Sequence, residues 1–133
     1  MVVVDPLSNA LNSITNCERR AKKEAIIAPA SRMIIEVLRL LQREGYVGEI
    51  EYIDDGRQGK VKVQLLGRIN KAAAIKPRYS IKKDELTSLP HWIKKKLPSK
   101  EIGILIISTP MGIMTAKEAL EKGTGGVLLG YVY

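Results

Sequence analysis

The 133-residue chain has no phenylalanine, and one each of tryptophan, histidine and cysteine. Each scarcity removes a class of chemistry. A lone Cys17 closes no internal disulfide, and together with His91 it supplies too few soft ligands for a zinc site. No apolar run approaches the roughly 20 residues of a membrane-spanning helix. The opening "MVVVDPLSNA" has no basic region leading into a long apolar stretch. The expectation is therefore a soluble, unsecreted protein with no membrane partner, no metal and no cofactor. No Gly-x-Ser-x-Gly pattern marks a strained nucleophile turn. The cluster Gly123-Thr124-Gly125-Gly126 lacks the Gly-Lys-Ser/Thr ending of a nucleotide-binding loop.

Acid is scarce as well. Fourteen Asp and Glu stand against 22 Lys and Arg, for a net charge of +8 and a pI near 9.7. The cations are spread along the chain, which makes polyanions the natural partners. Basic charge confers affinity without choice, because Lys and Arg displace counterions from phosphates of any sequence. It does not separate RNA from DNA or acidic lipid, and a solvated surface is the plain alternative. An apolar content of 45% suffices for the core of one ordinary domain or two small ones.

Periodicity places the elements. Asp5-Pro6 has the form of an N-cap followed by proline at the first helical position, and Leu7, Ala10, Leu11, Ile14 and Cys17 recur at helical spacing. This predicts a helix to about Ala21, with Cys17 on its apolar face. Residues 25–28 form an apolar run stopped by Pro29, fitting a short buried strand. Ser31 then opens a second helix with Met33, Ile34, Val37, Leu38 and Leu41 as its stripe, and Gly45 ends it in a left-handed turn. Residues 50–53 and 60–66 flank "DDGRQG", with Val61, Val63 and Leu65 alternating against Lys60, Lys62 and Gln64, a hairpin with one wet face. Gly67, Arg68, Asn70, Lys71 and three alanines break the pattern, so a boundary falls near residues 67–74. Beyond it, Pro90 opens a short helix carrying Trp92 and Ile93, with Lys94, Lys95 and Lys96 toward its end and Pro98 closing it. Residues 103–107 read as a strand, 116–122 as a short helix and 127–132 as a final strand. The expected fold is α+β in two small domains. Residues 1–66 form a helix-strand-helix-hairpin domain, and residues 67–133 a mostly-β domain with short helices.

The stretch with most chemical character joins the strand at 103–107 to the helix at 116–122. Thr115 and Glu118 have capping-box spacing, which makes Thr115 structural. Ser108, Thr109, Pro110, Met111 and Gly112 are left as a tight connection, with proline limiting one dihedral and glycine open to positive φ. A hydroxyl nucleophile needs a base, and the single histidine lies in a basic segment beside Trp92 with nothing to mark a triad. Hydroxyls and bare backbone also recognise RNA, reaching sugar hydroxyls, phosphates and displaced bases where longer side chains clash. A purely structural turn would use the same residues. The glycine cluster at 123–126 fits a helix C-cap and a turn into the last strand.

These residues, in "ISTPMGIMTAKEALEKGTGGVLLGYVY", resemble the carboxy-terminal signature of the small-subunit ribosomal protein S-eight family. The resemblance continues in "DPLSNALNSITN", "PASR", "EGY" and "IKPRYS" and so spans nearly the whole chain in order. "IKPRYS" and "LPHWIKKKLPS" resemble the archaeal and eukaryotic branch. The resemblance implies a cytoplasmic ribosomal protein, monomeric when free and not an enzyme. Its expected partners are the central domain of small-subunit rRNA, bound early in assembly, and neighbouring small-subunit ribosomal proteins. A family role in repressing translation of its own mRNA makes mRNA a further candidate, and a hydrolase using Ser108 or Thr109 is the rival from another class. Carried over by position, the family's Ser-Thr-x-x-Gly loop falls on Ser108, Thr109 and Gly112, and its glycine pair on Gly125 and Gly126. Its tyrosine falls on Tyr79, where Lys76 and Arg78 would supply phosphate contacts and the ring would pack either on RNA or into the second core. Two positions depart from the pattern. Val127 stands where many members have glutamate, and Met111 stands where bacterial members often have lysine, so Met111 would lay its thioether on a base or on the core. Arg19, Arg20, Lys22 and Lys23 would touch a second rRNA helix or neighbouring proteins, or form a solvated helix end.

Overall fold

A computed structural model of the chain describes residues 6–28, 30–54, 56, 59–87, 93 and 103–133, the side chains of residues 76–78 and 87 excepted. The expected Asp5 cap, the stop at Pro29 and the helix between Pro90 and Pro98, with His91, Trp92 and Lys94 to Lys96, lie outside the described residues. Two compact units divide between Ala72 and Ala73. Among the described residues they hold three α-helices and seven strands in two sheets, the expected α+β class.

The first unit runs α1 (Pro6–Arg19), β1 (Glu24–Ile27), α2 (Arg32–Arg43), β2 (Val47–Ile53) and β3 (Lys60–Leu65). The sheet order is β1-β3-β2, with both pairings antiparallel. Leu7, Ala10, Leu11 and Ile14 of α1 and Ile34, Val37, Leu38 and Leu41 of α2 are buried. So are Ala25, Ile27, Val61, Val63 and Leu65 of the sheet, so the helical stripe of period 3.6 meets the strand face of period 2. Ser31 caps α2, its Oγ accepting from the Ile34 N–H at 3.3 Å. Gly45 follows the helix at φ +82°, and the Tyr46 N–H returns to the Leu41 carbonyl at 2.9 Å, a left-handed stop.

Three expectations need correction. The strand at residues 25–28 is buried on one face only, and Ile26 is 58% exposed, because β1 is an edge strand whose outer face has no covering layer among the described residues of its unit. Met33 is exposed, since it sits one position off the α2 stripe. Cys17 is half-buried rather than buried, and α1 ends at Arg19 instead of Ala21. There Ala21 takes φ +55° and the Lys22 N–H closes on the Cys17 carbonyl at 3.0 Å.

Residues 67–72 are tied to the first unit by side chains. The Gly67 N–H donates to Glu18 Oε1 at 3.3 Å, and Arg68 Nη1 donates to the Gly45 carbonyl at 3.0 Å. The buried Thr15 hydroxyl accepts from the Ala72 N–H at 2.9 Å and donates to the Ala72 carbonyl at 2.8 Å.

The second unit holds β4 (Ala72–Ile81), a 3-10 turn (Lys83–Thr87), β5 (Ile104–Thr109), β6 (Gly112–Thr115), α3 (Ala116–Lys122) and β7 (Gly126–Val132). Its sheet order is β4-β7-β5-β6. Two strands exceed the sequence reading. The alanines at 72–74 begin β4 rather than break the pattern, and β6 replaces part of the expected loop. Pro77 is tolerated in β4 because that strand lies at the sheet edge. Ile75, Ile81, Leu86, Ile93, Leu105, Ile107, Met114, Leu128 and Tyr131 form the core with Ala119 of α3.

Candidate nucleic-acid interface

The expected loop at residues 108–112 is a hairpin. Ser108 and Thr109 are the last residues of β5, Gly112 opens β6 opposite Thr109, and Pro110 and Met111 alone make the turn. Gly112 takes φ +123°, a conformation that side chains rarely adopt. Strand alternation sends the two hydroxyls to opposite faces. Thr109 follows Leu105 and Ile107 toward the core and is 9% exposed. Its Oγ1 donates to the Gly112 carbonyl at 2.8 Å and accepts from the Met111 N–H at 3.1 Å. The hydroxyl thus fastens the turn, the local use of threonine that competes with regular backbone pairing.

Ser108 faces the other way. It is half-buried, flanked across the sheet by Ile113 of β6 and Val127 of β7, and its hydroxyl makes no hydrogen bond among the described residues. Beside it the chain packs backbone on backbone. A Cβ on Gly126 would run into the Ser108 carbonyl and lie 3.2 Å from Thr109 Cα. One on Gly125 would meet the Ile81 carbonyl and lie 2.9 Å from the Lys83 nitrogen. The glycine pair is therefore required by the fold itself, whatever else touches it.

Ser108, Thr109, Met111, Gly112, Gly125 and Gly126 accordingly gather at one end of the second sheet. Met111 is 62% exposed, which removes the core as its resting place. Val127, the departure from the family pattern, lies next to Ser108 as a half-buried strand residue. Tyr79, on β4 beyond β7, is half-buried and packs against the core of the unit. Lys76 and Arg78 lie on the same strand, with their side chains outside the described residues. Sequence reasoning missed Lys82 and Lys83, both exposed, whose backbone lies against Gly125. The run "IKKDEL" was the available signal, but only the close approach at Gly125 brings these cations beside the candidate site. In the first unit Arg19, Lys22 and Lys23 line a groove with Glu18 and Asn70.

Thr115 caps α3 as expected, with its Oγ1 accepting from the Glu118 N–H at 3.1 Å, and Gly123 ends the helix at φ +66°. Among the described residues no group of three or more His, Cys, Asp or Glu could hold a metal ion. No base is hydrogen-bonded to Ser108 among them, and Thr109 is occupied by the turn. Tyr46, in the first unit, has its phenol pushed above the usual value by burial and by Glu44, so it stays neutral at physiological pH.

The chain is a small basic protein of two α+β units, the second of which gathers at one end of its sheet a hydroxyl without a partner among the described residues, close-packed glycine backbone and exposed lysines, the build of a structural protein rather than of an enzyme's active site. The chain belongs to the ribosomal protein S8 family, whose model matches residues 5–133. It is 60% identical over 133 residues to the small ribosomal subunit protein uS8 of Desulfurococcus amylolyticus. It is 61% identical to the uS8 of Metallosphaera sedula and 59% identical to that of Saccharolobus islandicus. All of each chain is covered in all three comparisons.

Proposed function

We propose that the chain is a structural constituent of the small ribosomal subunit that binds the central domain of small-subunit rRNA early in assembly, through its second unit. The names of its relatives support the ribosomal part of this reading. The observation that carries the rest is the end of the second sheet. Ser108 offers a hydroxyl with no partner among the described residues, Met111 and Gly112 project at an exposed turn, Gly126 lets β7 lie close against the end of β5, and Gly125 lies as close against the backbone of Ile81 to Lys83. Such a surface reads contour and 2′-hydroxyls at close range. Lys76, Arg78, Lys82 and Lys83 supply phosphate contacts that hold the RNA without choosing it. An mRNA folded to mimic the same helix would occupy the same surface. A hydrolytic role finds no support, since neither hydroxyl has a base within hydrogen-bond reach among the described residues.

The test is filter binding of the full chain to a central-domain helix and to a scrambled helix across a salt series. Ser108→Ala weakens the correct helix and leaves the scrambled one unchanged. Lys76→Ala weakens both and lowers the salt slope by about one unit. Equal loss on both RNAs for Ser108→Ala would remove the proposed division of labour.

A further inference from the structure

We infer that the free edge of β2 and the groove beside it, in the first unit, form a protein-docking site. Its occupant is an extended segment of another protein in which basic and apolar residues alternate, adding as a fourth strand next to β2.

Three observations meet here. First, β2 is an edge strand, paired only with β3 among the described residues. Its regular part is Ile50–Ile53, because the irregularity between Val47 and Ile50 turns the Glu49 N–H to the Gln64 side chain at 3.1 Å. An edge leaves backbone donors and acceptors that another strand can use. Second, a groove of about 410 Å³ runs along this edge on the side of α2, lined by Ile35, Arg39, Gln42, Ile50, Tyr52 and Val61. Tyr52 is 56% exposed, its ring lying over Gly59 at the mouth of a slot that Ile35, Ile50 and Val61 share with Arg39 and Gln42. Every second side chain of an added strand would enter this slot.

Third, charge selects the occupant. Residues 44–55 carry five of the fourteen acidic residues and none of the 22 cations, in a chain of net charge +8. Glu49, Glu51 and Asp54 flank the edge. Lys62, opposite Glu51 in the sheet, is already engaged by Glu24 at 3.2 Å, and Lys60 lies opposite Ile53. On the groove side the cation is Arg39, which disfavours a basic side chain there and leaves Ile35, Ile50 and Tyr52 to receive apolar ones. The pattern thus asks for Lys or Arg outward, toward Glu51, and Val, Ile or Leu inward. RNA phosphates are repelled by the same acids, and a second copy of this chain would set Glu51 and its neighbours against their own kind.

The probe is an eight-residue peptide of alternating Lys and Val, titrated into the full-length protein and followed by fluorescence anisotropy and by amide hydrogen exchange. Binding is expected with new protection at residues 50–53. It should weaken about tenfold or more in Glu51→Lys, and again in Tyr52→Ser, with both variants keeping the wild-type urea midpoint. A peptide of alternating Glu and Val should not bind. Undiminished binding to Glu51→Lys, protection confined to other strands, or equal binding of a peptide with the same residues in two blocks would each overturn the inference. So would a dimer joined through β2, or an RNA footprint on residues 49–54.

Discussion

Adjacent hydroxyls on one strand make a test that separates fold from recognition. Thr109→Val keeps the shape of the side chain and deletes the two hydrogen bonds at 2.8 and 3.1 Å that hold the Pro110–Met111 turn. A net hydrogen bond contributes about 0.5–1.5 kcal/mol, and the Met111 and Gly112 backbone groups at an exposed turn regain water when released. The loss should therefore be about 1–2 kcal/mol. With a urea m-value near 2 kcal/mol/M, the unfolding midpoint falls by about 0.5–1 M at unchanged slope. Ser108→Ala removes a hydroxyl that has no partner in the fold among the described residues, and its stability should stay within about 0.5 kcal/mol of wild type, a midpoint shift of no more than about 0.25 M. The same two proteins are then titrated with RNA. Ser108→Ala should bind more weakly while folding normally. Thr109→Val should lose stability first, with weaker binding following only from a loosened turn. If the two substitutions shifted the urea midpoint equally, the assignment of one hydroxyl to the turn and the other to the ligand would be refuted.

Other substitutions test the packing directly. Gly126→Ala pushes a methyl group into the Ser108 carbonyl, where backbone cannot swing aside as a side chain would, and should cost about 3 kcal/mol or more in chemical denaturation. Thr115→Ala removes the cap of α3 and should cost about 1 kcal/mol, while Thr115→Ser should restore most of it. Ala21→Gly relieves a left-handed alanine at the end of α1 and should raise stability by about 0.5–1 kcal/mol, read as an upward shift of the thermal midpoint.

Much of the fold was legible in particular residues. Ser31, the stripe of Ile34, Val37, Leu38 and Leu41 and the stop at Gly45 announce α2, though not the exposure of Met33, because a cap, a repeat and a left-handed stop are all local events. Val61, Val63 and Leu65 announce β3 for the same reason. The 3-residue alanine stretch at 72–74 did not announce β4, since alanine has little strand preference of its own and is held there by its place beside β7. Nor did Gly112 to Thr115 announce β6. Four residues give too short a pattern, and the pairing with β5 that defines them is non-local.

The candidate site shows the same division. The excess of cations directed attention to polyanions, and the resemblance of whole segments, from "DPLSNALNSITN" to "ISTPMGIMTAKEALEKGTGGVLLGYVY", pointed to a ribosomal family. Composition and spacing are local properties, and they narrowed the partner to a polyanion and the candidate contact to one stretch of the chain. Only the tertiary structure decided that Ser108 and Thr109 point to opposite faces, that Gly125 and Gly126 are demanded by backbone packing, and that Lys82 and Lys83 stand beside them. A strand's facing depends on its register with its neighbours, and close approach depends on segments tens of residues apart. Neither is written in any short stretch of sequence.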